Sequence, residues 1–151
     1  MPFELRMNMF LVKCSDINNA LCDECESLID SILSKVGDHV FAKTAPEISQ
    51  SVKNIQEELQ QKSMSSADLV KNEKRLEEVK NIEHKKLQNM YADLIEWLVF
   101  LNNNPKFRMN EDYMKPIQNA YKFMNQIASI IEKAEQKLKQ ERTDIENALY
   151  D

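Results

Sequence analysis

Cysteine and histidine side chains can bind a metal or act as nucleophiles, and this chain has three cysteines and two histidines. Cys22 and Cys25 have the CxxC spacing that supplies two thiolates to a zinc site or forms a redox dithiol. A structural zinc site needs two more ligands, and Cys14, His39 and His84 are scattered along the chain. On a helix, positions 22 and 25 lie on one side, and Cys25 falls among apolar residues. We therefore predict a buried structural cysteine, with the reduced thiols typical of cytosol, and no metal site.

Carboxylate clusters could serve acid–base catalysis, but their setting indicates another role. The glutamate pairs at 57–58 and 77–78 lie in charged helical stretches, where solvated faces and i,i+4 ion pairs are typical. Glu141 differs, because it occupies an apolar position of the last predicted helix. We expect Glu141 to fix the register of that helix or to meet a lysine from a neighbour. No spacing supplies a catalytic site, so we predict no enzyme, no cofactor and no small-molecule substrate.

Composition restricts the fold class. The 151 residues include one glycine, and 30% of them are charged. So few glycines argue against a turn-rich β fold and exclude a glycine-rich phosphate loop, whereas abundant Lys, Glu, Gln, Leu and Met favour helix. The net charge of −5 argues against nucleic acid as a partner. No apolar run approaches the ~20 residues that span a bilayer, and the first residues do not fit a secretory signal. We therefore expect an all-α protein that is cytoplasmic and does not bind a membrane.

The first two elements follow from apolar periodicity. Apolar residues alternate with polar ones through much of residues 1–14, which predicts an extended segment that lies along a helix groove or pairs with a strand outside this chain. Helix one is predicted over 15–61, capped by Ser15 or Asp16, with apolar residues every three or four positions. Near 44–46 two alternatives remain: a kink at proline, or a new helix start.

The remaining elements complete an all-α architecture. Helix two is predicted over 66–102, with Ser65 and Asp68 marking its start. Helix three is predicted over 116–151 and keeps a seven-residue apolar rhythm that has not ended where the sequence does, so we expect it to continue further. Helices of this length predict an elongated antiparallel bundle of about three helices with a short extended N-terminal segment. Rods of this kind join and orient other parts rather than enclose substrates.

Five residues are candidates for docking a partner. The N-terminal apolar residues are too few to cross a membrane and need something to pack against. Trp97 belongs to an aromatic and methionine cluster, with Met90, Phe100 and Met124, that is either core or a docking patch. With Glu141, the predicted docking residues are Phe10, Leu11, Val12, Trp97 and Glu141.

Two stretches resemble the stem of axonemal dynein heavy chains. MFLVKCS over 9–15, followed by INNALCDECESLIDSILSKV, is similar to the family's Gly-Leu-Phe, two hydrophobic residues and Asp-Cys-Ser, followed by a long helix. Phe10, Cys14 and Ser15 match that pattern, whereas Lys13 stands in place of its aspartate. Near the other end, YMKPI over 113–117 and IIEKAEQKLKQERTDIENAL resemble the helix that leads toward the family's linker, with tyrosine in place of the usual tryptophan.

The resemblance implies a non-catalytic piece of the tail just before the linker of a ciliary or flagellar microtubule motor. Its ATPase would lie elsewhere in such a motor. The implied partners are other heavy-chain segments and dynein intermediate or light chains, and the implied location is the axoneme within the cytoskeleton. The alternative is a free-standing helical coiled-coil adaptor or cytoskeletal scaffold, which would self-associate through helix three.

Overall fold

The computed structural model describes residues 4–7 and 10–150 of the chain. Residues 1–3, 8 and 9 of the predicted extended segment, and Asp151 of helix three, lie outside the described residues. Helices make up most of what is described, which confirms the all-α class. No described helix combines the length and the apolarity that crossing a bilayer requires.

The N-terminal segment forms a hairpin rather than a single strand. Strand β1 (Glu4–Met7) pairs antiparallel with strand β2 (Phe10–Lys13), so that Glu4 faces Lys13 across the ladder. The prediction of a lone strand, which would lie along a helix groove or pair outside the chain, is therefore wrong. The period-two alternation breaks at Phe10, where β2 begins, because the segment consists of two short strands rather than one long one.

Helix one continues through Pro46. Helix α1 (Ser15–Gly37) leads into a π-helical segment (Asp38–Thr44) and then into helix α2 (Ala45–Leu59), with right-handed helical dihedrals at both junctions. Cys14, not Ser15 or Asp16, is the residue that precedes the first turn.

The π-helical segment has two causes. Pro46 lacks the N–H that would bond one turn back, and its ring would clash with that carbonyl in a regular α-helix. The buried residues leading up to it, Leu33, Gly37, Phe41 and Ala45, are each four residues apart. In an α-helix of 3.6 residues per turn this spacing drifts around the axis, and the wider π turn absorbs the drift. The buried face of α2 therefore stays aligned with the end of α1.

Helix two begins where the Ser65–Asp68 spacing predicts it. Helix α3 (Ser66–Glu78) starts after Ser65, whose hydroxyl accepts from the Asp68 backbone N–H at 3.2 Å. A π-helical segment (Val79–Glu83) joins α3 to helix α4 (His84–Asn102).

Helix three starts earlier than its proline suggests. Helix α5 (Glu111–Tyr150) begins five residues before Pro116, because the Asn110 side chain accepts from the Tyr113 backbone N–H at 3.0 Å and caps the first turn. Acidic residues in that turn, Glu111 and Asp112, complement the helix dipole. Pro116 lies inside α5, where it lacks the N–H that would bond to the carbonyl of residue 112.

The core lies between α5 and the helices that pack on it. Helices α2, α3 and α4 all contact α5, and α2 also contacts α4. We call residues 33–145 the helical body and the described residues 4–32 the arm. The largest fully buried side chains all belong to the helical body: Phe41, Ile48, Val52, Val79, Leu94, Leu101 and Ile127.

Candidate docking surface

Strand β2 of the arm exposes three apolar side chains. Phe10 is 75% exposed, Leu11 is 53% exposed and Val12 is 38% exposed, although all three are large hydrophobic residues. Cys14, at the junction with α1, is the buried residue of this region, and its thiol lies 3.9 Å from the Val12 carbonyl oxygen. The structure thus leaves these three predicted docking residues accessible to another molecule.

Helix α1 carries a second exposed apolar surface. Ile17, Leu21, Leu28 and Ile32, which we call the apolar stripe, recur at helical spacing and are each about half exposed. Cys25 falls in the gap of the stripe and is also exposed. The apolar periodicity predicts one continuous face along helix one, but the buried part of α1 begins only at Leu33. The stripe is therefore an amphipathic face without a partner among the described residues.

The apolar stripe does not point in the same direction as the buried face of the same helix. At 3.6 residues per turn, its residues lie on average about two-fifths of a turn from Leu33 and Gly37. Leu33 is 8% exposed, whereas its neighbour Ile32 is 59% exposed. Whatever covers the stripe must approach from a different side than the helices of the body.

An aromatic cluster fixes the root of the arm. The Phe107 ring stacks near Tyr113 at 6.0 Å between centroids, and Phe41 lies tilted at 5.6 Å from Tyr113. The Tyr113 hydroxyl donates to the Asp38 carboxylate at 2.5 Å, and this hydrogen bond, with burial, raises the pKa of Tyr113. Gly37 allows this packing, because a Cβ there would lie 3.0 Å from the Phe107 ring.

Charge is divided unequally between the arm and the rest of the chain. The first 34 residues hold six acidic and two basic residues, a net charge of −4, whereas residues 35–150 hold eighteen of each. From Ser15 to Ser34 every charged residue is acidic: Asp16, Asp23, Glu24, Glu26 and Asp30. Glu26 lies 3.6 Å from Lys106 of the body, and all five are exposed. The arm is thus both apolar and acidic.

The aromatic and methionine cluster divides between core and surface. Met90 and Met124 pack against the buried core. Trp97 and Phe100 point outward on α4, 43% and 57% exposed, with their rings edge-to-face at 5.7 Å between centroids. Trp97 is thus available to a partner, and its docking role stays a prediction.

Glu141 lies inside the helical body. It is 9% exposed, accepts from the Ser63 backbone N–H at 3.3 Å and lies 3.7 Å from Lys137. Lys137 in turn donates to the carbonyl oxygens of Gln60 and Gln61 at 2.7 and 2.6 Å, at the end of α2. These contacts hold the loop between α2 and α3 on α5, and the lysine that Glu141 meets belongs to its own helix.

The side chains that could do chemistry do not converge. Cys22 and Cys25 are exposed on α1, so the prediction of a buried structural cysteine at Cys25 is wrong, because the stripe in which it lies is not covered. His39 is exposed and His84 is half-buried at the start of α4. Among the described residues, no group of three His, Cys, Asp or Glu side chains could hold a metal ion.

Ion pairs connect the helical elements of the body. Arg75 bonds to Glu83 and to Glu58, the latter at 2.6 Å, and the hydrogen bond to Glu83 contributes most to raising the pKa of Arg75. Lys80 of the second π-helical segment bonds to Glu135 of α5 and lowers the pKa of that carboxyl. These pairs link α2, α3 and α5 along the surface of the body.

Sequence reasoning missed two features of the arm. Its hairpin was signalled by the break in alternation at Phe10. The concentration of acidic residues between 15 and 34 is present in the sequence. It was missed because charges of both signs are interspersed along the rest of the chain. No protein-family model matches this chain, and comparisons with curated proteins and with solved structures find no match.

Proposed function

We propose that this chain is a non-catalytic structural segment that joins helical units, within the stem of an axonemal dynein heavy chain. Its exposed arm carries the proposal: strand β2 and residues 15–32 of α1 present large apolar side chains that are 38–75% exposed. Large exposed apolar surfaces typically mark sites of interaction with other proteins. The dynein assignment rests on the resemblance of the same region, MFLVKCS and the helix after it, to the stem of that family.

In this proposal the helical body is an elongated antiparallel bundle that acts as a spacer. The packing of α2, α3 and α4 against α5, and the ties at Glu141 and Tyr113, support a body whose ends stay in register under load. The partners would be neighbouring heavy-chain segments, or intermediate and light chains, in the axoneme of cilia or flagella. No step of ATP hydrolysis is assigned to this segment.

The alternative, a free-standing adaptor that dimerises through helix three, has less support. The apolar positions of α5 that would form the dimer seam are buried within this chain: Ile117, Ala120, Ile127, Ile131, Ala134 and Leu138. A coiled coil through α5 would require these residues to leave the core.

Fractionation of ciliated cells tests the proposal. Axonemes are stripped of membrane and extracted with high salt, and peptides of this sequence are located by mass spectrometry across denaturing gels and sucrose gradients. We expect the peptides in a very large polypeptide that co-sediments with ATPase activity. Recovery of the sequence only in a small polypeptide, of about the 17.7 kDa of this chain, away from the axoneme would favour the adaptor instead.

A further inference from the structure

The apolar stripe has a chemistry that selects among possible occupants. Resting on the proposed docking role, we infer that the arm binds a basic amphipathic helix of another polypeptide, which covers Ile17, Leu21, Leu28 and Ile32 with its own apolar face. Two observations define this occupant: the helical spacing of the stripe and the charge of the helix that carries it.

The spacing of the stripe specifies a helix as the partner. Its residues lie at intervals of four, seven and four along α1, the spacing at which one helix packs along another. Over 18 residues the exposed part of α1 is about 27 Å long, which matches a partner helix of about five turns. A single inserted loop would not cover a surface of that length.

Charge distinguishes a basic partner from a second copy of the chain. The arm has a net charge of −4, and within the described part of the chain only Glu26 of the acids on α1 has a basic side chain within ion-pair distance. Glu24 borders the stripe, whereas Asp16, Asp23 and Asp30 lie toward the opposite side of the helix. Since a helix is only about 10–12 Å wide, lysines that flank a partner's apolar face approach these carboxylates to within the ~30 Å Debye length of 0.01 M salt. Two arms packed on each other would instead bring like charges together.

The body does not reverse this preference. Residues 35–150 have no net charge, and their basic side chains near the arm include Lys106 and Arg108, which line a surface cavity with Glu26 and Asp30. Lys106 offsets one carboxylate at the root of the arm, where α1 meets the loop before α5. Toward the hairpin the acids Asp16 and Asp23 stay exposed.

Two synthetic peptides test the inference. Both are about 18 residues long and share one Leu/Ala stripe; one has Lys and the other has Glu at every flanking position. Fluorescently labelled peptide is titrated with the full chain at low and at high salt, and anisotropy reports binding. We expect the Lys peptide to bind about tenfold more tightly than the Glu peptide at low salt, as several partly screened ion pairs would give, and the ratio to shrink as salt rises.

Variants assign the binding to the stripe and to its charges. Leu21→Ser with Leu28→Ser should abolish binding of the Lys peptide, whereas Ile82→Ser, an equally exposed apolar position on the body, should leave it unchanged. Asp23→Asn with Glu24→Gln should weaken it severalfold at low salt only. Circular dichroism verifies that each variant keeps its helix content.

The possible outcomes separate the inference from the proposed function. Equal binding of both peptides would leave an apolar docking role intact and overturn the basic partner. Self-association that Leu21→Ser with Leu28→Ser removes, measured by sedimentation velocity, would assign the stripe to a second copy and overturn it as well. Binding of neither peptide would also overturn it, while the axonemal fractionation judges the proposed function independently.

Discussion

Replacing Lys137 with methionine should destabilise the helical body, because one ammonium group serves both the end of α2 and a buried carboxylate. Its Nζ donates to the carbonyl oxygens of Gln60 and Gln61 at 2.7 and 2.6 Å and lies 3.7 Å from Glu141. Methionine retains the apolar stem of lysine, so the change removes the charge and its hydrogen bonds with little loss of packing.

The expected cost follows from the exposure of these groups. Hydrogen bonds to charged groups contribute about 1.5–3 kcal/mol each, and the Lys137 side chain is 30% exposed, which reduces each to roughly 1 kcal/mol. Loss of the cation next to Glu141, whose side chain is 10% exposed, adds to this. The free energy of unfolding should fall by about 2–3 kcal/mol, and the Tm by about 4–12 °C.

Urea and thermal unfolding followed by circular dichroism measure this loss. Lys133→Met, an exposed lysine one turn earlier on the same helix, is the matched control and should change the free energy of unfolding by less than about 0.5 kcal/mol. If Lys137→Met were as stable as Lys133→Met, the described contacts at the end of α2 would contribute nothing, and the reasoning would be wrong.

Three further perturbations test the division between arm and body. Leu94→Ala in the core should cost about 2–5 kcal/mol in urea unfolding, whereas Leu28→Ala in the arm should cost less than about 0.5 kcal/mol; similar losses would mean that the stripe is covered. Gly37→Leu should lower the Tm and, by near-UV dichroism, disturb the aromatic cluster, because its side chain would meet the Phe107 ring; an unchanged spectrum would contradict that packing. Since the pKa of Tyr113 is raised on folding, its stabilising contribution is complete below the unfolded value near pH 10 and is lost as the pH rises through the folded value. Tyr113→Phe should therefore be less stable at pH 7 and lose less stability than the parent chain above pH 10, and parallel pH profiles would argue against the bond to Asp38.

Local signals predicted helix starts unevenly. Ser65 with Asp68 marks the beginning of α3, because both partners of the cap lie within one turn. The start of α5 was placed too late at Pro116, because Asn110 stands in a polar loop where any of several residues could cap a helix.

Burial of the arm could not be predicted from periodicity. Apolar residues recur every three or four positions both in the exposed residues 15–32 and in the buried end of α1 from Leu33. A helix that packs within its own chain and a helix that packs on another chain have the same amphipathic pattern. Their difference depends on what lies opposite. Only the packed structure shows that α1 is buried at Leu33 and Gly37, whereas the apolar stripe before them stays about half exposed.

The angle between the apolar stripe and the buried face has a mechanical consequence. A polypeptide held on Ile17 to Ile32 lies beside α1 rather than at its end, so a pull on that polypeptide acts off the axis of this helix. Tension in the bound polypeptide then exerts a torque on the helical body as well as a pulling force. Attachment beside α1 would therefore transmit rotation to the body. Two helices joined end to end along one axis would not.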